Sequence, residues 1–233
     1  MIDSIYGPLL VNRHCHMQAE ALIKTGKSHI ESELQGMYKV VDRLPANCVI
    51  VDGGANIGLV SIPLAQRIAP KNGTVISFEP QTEMFNCLAG SVALTGSHNV
   101  KLVRAGLGTV SGTASLPAID YGQEQDFGVV SLRDVKDGFL VSDVLGLGNT
   151  VAVVALDDLA LPTLDFFKLD VEGWEIHALK GARATIHKHR PFLWIEYWLI
   201  GIEAITTELN DLPGYKWEIQ DDLNVLFCPL EKI

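Results

Sequence analysis

No apolar run in this 233-residue chain approaches the roughly 18 to 20 residues that would cross a bilayer. The opening residues, MIDSIYGPLL, hold an acid at position 3 and no basic stretch leading into an apolar one, so no secretory leader is read there. Basic residues are scarce. Eighteen Lys and Arg face 28 Asp and Glu, a formal net charge of −10, which argues against a nucleic-acid backbone or an anionic membrane surface as the main partner. The richest basic stretch, Lys180 to Arg190, has the spacing of a solvated helix face. Only four cysteines occur, Cys15, Cys48, Cys87 and Cys228, far apart and mostly in apolar segments, the usage of reduced core residues rather than of disulfides or a metal centre. Internal repeats and low-complexity tracts are absent too. These absences lead us to expect a cytoplasmic protein without a membrane span, and a 48% apolar composition is enough for one substantial core.

What is present is a series of short, continuous apolar runs: Cys48 to Val51, Thr74 to Phe78, Val100 to Arg104, Phe166 to Leu169 and Phe192 to Glu196. Runs without alternation are the pattern of strands covered on both faces, as in a parallel sheet. Segments of helical spacing lie between them, with Met84, Leu88 and Val92 on one face of one and Ile176, Leu179 and Ile186 on one face of another. The alternation predicts a doubly wound α/β sheet. After a helix near Ile202 to Leu209 the rhythm breaks, because Tyr215 to Ile219 and Val225 to Cys228 flank a polar turn and read as an antiparallel hairpin.

Residues 1–45, helical around Ile30 to Val41, are expected to cap a domain spanning residues 46–233. Residues 109–150, rich in glycine and with strand signals at Thr113 to Leu116 and Val129 to Leu132, read as an insertion. Pro63 is expected to disturb a helix that starts near Asn56.

The first strand runs into VDGGANIG, Val51 to Gly58. A dinucleotide site prefers G-x-G-x-x-G, with the pyrophosphate on amides at a helix N-terminus. Here the spacing is Gly54-Ala55-Asn56-Ile57-Gly58, preceded by Gly53 and by Asp52, whose carboxylate would repel a pyrophosphate and attract a cation. The ligand is therefore expected to carry positive charge, which fits the ammonium and sulfonium of S-adenosylmethionine. Glu79 ends the second strand, where a carboxylate can accept both ribose hydroxyls. The plain alternatives are a tight turn for the glycines and a helix cap for Asp52.

With these residues the chain resembles the FkbM family of S-adenosylmethionine-dependent methyltransferases. The likeness rests on VDGGANIG at 51–58, VISFEP at 75–80, VVALDDLALPTLDFFKLDVEGWEIHALKGA at 153–182 and PFLWIEY at 191–197. It departs at Gly53, where the family usually has an apolar residue, at Trp174, which replaces a small one, and over residues 117–150, which align with nothing. The resemblance implies a Rossmann-like class I methyltransferase fold: a mostly parallel seven-stranded sheet, a C-terminal antiparallel hairpin and an N-terminal helical cap. It also implies O-methylation of a hydroxyl on a small molecule or sugar. The cofactor contacts would come from Asp52, Gly53, Gly54, Ala55, Asn56, Gly58, Glu79 and Asp170.

Function in such sheets gathers at the carboxyl ends of the strands, which here carry Asp170, Glu172 and Glu196 besides Asp52 and Glu79. Asp170 is expected to act as the acceptor's base or to position the acceptor. Glu172 has a rival reading as an acid favoured at the start of a helix near Gly173, and Glu196 as a buried carboxylate satisfied by Lys168 or an amide. Lys168, within an apolar strand, needs an acidic partner. A divalent cation held by these acids is the less favoured alternative. His14 and His16 read as a polar loop, with a metal pair or an acceptor-side base as the alternative, and His177, His187 and His189 receive no role. The rival functions are an NAD-dependent oxidoreductase, which would bind NAD, and a methyltransferase-like binding subunit without catalysis.

Overall fold

The computed structural model describes residues 1–137, 150–212 and 214–232. In chain order its elements are β1 (Ile2–Ser4), β2 (Gly7–Leu9), α1 (His16–Thr25), α2 (Glu31–Val41), β3 (Val49–Gly53), α3 (Ser61–Ile68), β4 (Thr74–Phe78), α4 (Thr82–Thr95), β5 (Val100–Val103), β6 (Gly106–Leu107), β7 (Gly112–Ser115), β8 (Arg133–Asp137), β9 (Thr150–Val154), β10 (Phe166–Leu169), α5 (Glu175–Lys180), α6 (Arg183–His189), β11 (Phe192–Glu196), α7 (Ile202–Glu208), β12 (Tyr215–Ile219) and β13 (Asn224–Pro229).

The apolar runs form one seven-stranded sheet in the order β12-β13-β11-β10-β3-β4-β5. Strands β11, β10, β3, β4 and β5 pair in parallel, and β13 pairs antiparallel with both β11 and β12. The runs are continuous because each face meets its own helices. Ile50, Phe166, Phe192 and Trp194 pack with Leu34 and Met37 of α2, Ile62 of α3 and Met84 of α4. Their neighbours Val51, Phe167, Leu193 and Ile195 pack on the opposite side with Leu179 of α5, Ile186 of α6 and Ile205 of α7. Adjacent strand residues point to opposite faces, so nearly every position along these strands is buried. The fold is the Rossmann-like, class I methyltransferase arrangement that the sequence implied.

Two expectations are corrected. The helix after β3 begins at Ser61, not near Asn56, so Pro63 is its third residue. An amide there would have no partner within the helix, and the proline removes nothing. Residues Val129 to Leu132 form no strand; the pairing starts at Arg133. Leu132 instead joins a small separate core with Ala114 of β7 and Val151 and Val153 of β9, two strands of a four-stranded sheet ordered β6-β9-β7-β8. Of the expected insertion 109–150, residues 138–149 lie outside the described residues. The four cysteines form no disulfide, with Cys15 and Cys48 buried.

The N-terminal residues lean on the sheet through two helices. The β1-β2 hairpin rests on α4, where the Leu10 amide donates to Ser91 Oγ at 2.9 Å. Helix α2 crosses β11 closely enough that a Cβ built on Gly36 would lie 2.7 Å from the Trp194 ring. That approach explains a glycine inside a helix. Gly36→Val should therefore destabilise the protein by about 1–2 kcal/mol in urea unfolding, since overpacking outweighs the smaller gain in helix propensity. A variant as stable as the wild type would mean that α2 does not seat on Trp194.

Candidate active site

The chain turns sharply after β3. Gly54 sits at φ +78°, and a Cβ there would lie 1.8 Å from the Asp170 carbonyl oxygen, so only glycine fits. The Gly54 and Ala55 amides both donate to the Phe78 carbonyl, at 3.0 and 2.9 Å, which fixes the turn against the end of β4. Glu79, 3% exposed, completes the strap: its Oε2 accepts the Asn56 amide at 2.9 Å and its Oε1 the Gln81 amide at 2.7 Å. Burial pushes the Glu79 carboxyl up to about 7 against the opposing pull of those two amides.

Asp52 is not where the charge argument put it. It is fully buried beneath the turn, with Oδ2 accepting the Ser61 hydroxyl at 2.5 Å and Oδ1 3.2 Å from Lys168 Nζ. Strands β3 and β10 place Lys168 and Asp52 in register as direct partners. Lys168 also lies 3.3 Å from Asp170 Oδ2 and donates to the Gly54 carbonyl at 3.1 Å. Burial opposes its positive charge, but Asp170 and Asp52 outweigh that and hold its pKa above the ordinary value. The negative charge of Asp52 is thus met inside the protein. Gly53 and Gly58 are also packing positions: a Cβ on Gly53 would lie 2.9 Å from Leu107 and Leu169, and one on Gly58 2.8 Å from Leu88.

Beyond Lys168 the acids converge. One carboxylate oxygen from each of Asp170, Glu172 and Glu196 lies within 4.8 Å of the others. Glu172 reaches the cluster from a left-handed backbone, φ +56°, followed by Gly173 at +86°. A non-glycine residue in that region is strained, and such strain collects at functional sites. The helix α5 starts at Glu175, not near Gly173, and Glu175 is the acid of its first turn, with Oε1 accepting the Val171 and Gly173 amides of the turn before it at 3.0 and 3.2 Å. Glu172 is left free of that duty. Burial first, then the Asp170 and Glu175 charges, push Glu172 up to about 7. Glu196 is also raised, again by burial and then by Asp170 and Glu172.

These groups share a cavity of about 380 Å³, within the range of roughly 300–1,000 Å³ common for small-molecule sites. It is lined by the turn Gly54, Ala55 and Asn56 with Glu79, and by Lys168, Asp170, Glu172 and Glu196. Asp52, Gly53 and Gly58 do not line it. Sequence reading missed Gln18, His29 and Glu33 on the N-terminal side and Asp126 on the loop before β8, all of which line the cavity. No motif marks them, and they come from the two segments with the weakest periodicity. Burial pushes Glu33 up to about 7 and holds His29 below its ordinary value. The other histidines stay away from the cavity: His16 pairs with Glu124 on the surface and His177 stacks on Trp174.

Residues 52–228 match the family model described as the Methyltransferase FkbM domain. Methyltransferase sdnD of Sordaria araneosa is 27% identical over 167 residues, 60% of this chain, and the match spans 62% of that relative, less than two thirds of its length. In fold, the chain is similar to the methyltransferase FkbM of Methylobacillus flagellatus KT, with a TM-score of 0.54 at 20% identity over 78% of this chain and 43% of that one. It is also similar to a putative rRNA-methylase of Clostridium thermocellum, with a TM-score of 0.51 at 10% identity over 84% and 93% of the two chains. With the family model covering residues 52–228 of 233, the chain belongs to the FkbM methyltransferase family.

Proposed function

We propose that this protein is an S-adenosylmethionine-dependent O-methyltransferase acting on a hydroxyl of a small molecule or sugar. The observation that carries this reading is one cavity in which a glycine turn strapped to a buried Glu79 opens directly onto three clustered carboxylates. The family membership and the fungal relative named a methyltransferase support it.

The residues present fit the cofactor. Gly54, Ala55 and Asn56 line the cavity, Asn56 Oδ1 is buried without a partner, and each Glu79 oxygen keeps a lone pair beyond its amide bond. Glu79 would accept the ribose hydroxyls, while Gly54, Ala55 and Asn56 would border the methionyl half. When bound, S-adenosylmethionine supplies a methyl carbon on a positively charged sulfur, already activated for in-line displacement.

The chain's own task is to hold the acceptor and take its proton. Asp170, tied to Lys168, is held in place and suits positioning of the acceptor hydroxyl. Glu172 and Glu196 have no cation of their own at bonding distance among the described residues, so either can accept the proton. A base with a pKa near 7 combines a usable ionised fraction with real proton affinity. The apolar residues Ile30, Leu59, Val60 and Leu107 in the same wall exclude water.

Two outcomes are expected. Glu79→Gln replaces one acceptor oxygen with an NH2 group that cannot accept an amide proton, so S-adenosylhomocysteine affinity by calorimetry should fall about tenfold or more. NAD should bind neither protein. NAD binding by the wild type, without S-adenosylhomocysteine binding, would overturn the reading. The second outcome is a pH profile. The base must be ionised to act, so the rate at saturating substrate should rise with pH and level off above about 7. Glu172→Gln should lose that limb or most of the rate; an unaltered profile would assign the proton to Glu196.

A further inference from the structure

The charge of the cavity is one-sided. Besides Glu79, five carboxylates line it: Glu33, Asp126, Asp170, Glu172 and Glu196. Among the described residues, one lysine lines it, Lys168, whose ammonium is already engaged by Asp52 and Asp170. His29 adds no cation, because burial favours its neutral form. These five acids are half-buried, where charge left without a cation is costly, and a cavity built this way gains most from an occupant that brings positive charge. Two independent features agree. Gln18 is 5% exposed, and its Oε1 is an acceptor without a donor in the cavity wall. Trp198, 52% exposed, and Leu223 border the same cavity beside Glu196, offering the aromatic face and apolar rim that suit an organic cation better than a bare ion.

We propose that the acceptor is an organic cation, a hydroxyl compound carrying a protonated amine, recognised by Glu33, Asp126 and Glu196 together with Gln18 and the Trp198 ring. This rests on the methyltransferase reading above and sharpens it to a substrate class. A protonated amine has no lone pair to offer, so the hydroxyl remains the nucleophile, and the ammonium serves recognition. A neutral sugar or an acidic metabolite would leave the acids unmatched, or repelled.

The test uses two sets of probes of matched size: tyramine, 4-ethylphenol and 4-hydroxyphenylacetate, then glucosamine, glucose and glucuronate. Each is titrated by calorimetry into the 233-residue protein saturated with S-adenosylhomocysteine, after treatment with a chelator. In at least one set the amine should bind about tenfold tighter than its neutral partner, equivalent to about 1.4 kcal/mol, with the acid weakest. Glu33→Gln should cut that preference at least about threefold while still binding S-adenosylhomocysteine, which separates lost recognition from lost folding. Equal affinities in both sets, no binding in either, or preference for the neutral or acidic probe overturns the proposal. Binding of magnesium chloride alone that is abolished in Glu196→Gln, together with loss of amine preference once magnesium is present, would assign the acids to a metal and also overturn it. Failure of S-adenosylhomocysteine to bind would strike the methyltransferase reading itself; the same titrations on the free protein would still report the charge preference.

Discussion

One buried ammonium organises this site. Lys168 Nζ touches Asp52 on β3, Asp170 at the end of β10 and the carbonyl of Gly54 in the turn between β3 and α3. A charge so deep costs several kcal/mol of lost hydration, and its attraction to two carboxylates offsets that cost only when the geometry is good. The geometry follows from the sheet. Lys168 and Asp52 are paired across parallel strands, and Asp170, two residues further on, points to the same face as Lys168. The Ser61 and Ser77 hydroxyls extend the network, 2.6 Å apart, with Ser61 closing on Asp52. The position of the turn, the start of α3 and the orientation of the first catalytic candidate all depend on this one cation.

The fold was legible because its strands are covered on both sides. Phe192 to Glu196 has no polar position until the strand ends, and Phe166 to Leu169 has one, Lys168, so their limits are chemical as well as geometric. Lys168 stood out as the exception and had to have an acidic partner. The site was legible only in part. Asp52 resembled a ligand-facing acid because the sequence cannot tell which of Lys168's neighbours takes its charge. Glu172 and Glu175 both fit the start of a helix, and only the left-handed turn at Glu172 and Gly173 decides between them. Glu33 and Asp126 carry no signal at all: one sits on a helix whose pattern is set by Leu34, Met37 and Val41, the other in a loop whose place depends on Phe127 entering the core.

Burial favours the protonated form of Glu33, Glu172 and Glu196, so the folded chain binds protons there more tightly than the unfolded chain. Their contribution to stability is complete below the ordinary carboxylate value near 4.5 and declines as pH rises; for Glu33 and Glu172 it is lost by about 7. Near neutral pH these acids therefore leave the protein less stable than it could be. A cationic occupant reverses the sign, because it favours the ionised acids and releases their protons. The same poise that makes a good base also makes a receptor for positive charge.

The central claim is that Lys168 and Asp52 act as one unit supporting the turn. A double-mutant cycle in denaturant unfolding tests it most directly. Lys168→Met should cost about 3–5 kcal/mol by leaving Asp52 buried without its cation. Adding Asp52→Asn should recover a large part of that loss, giving a coupling of at least about 1 kcal/mol. Losses from the two single variants that add to within about 0.5 kcal/mol would mean that the residues act independently, and would contradict the account.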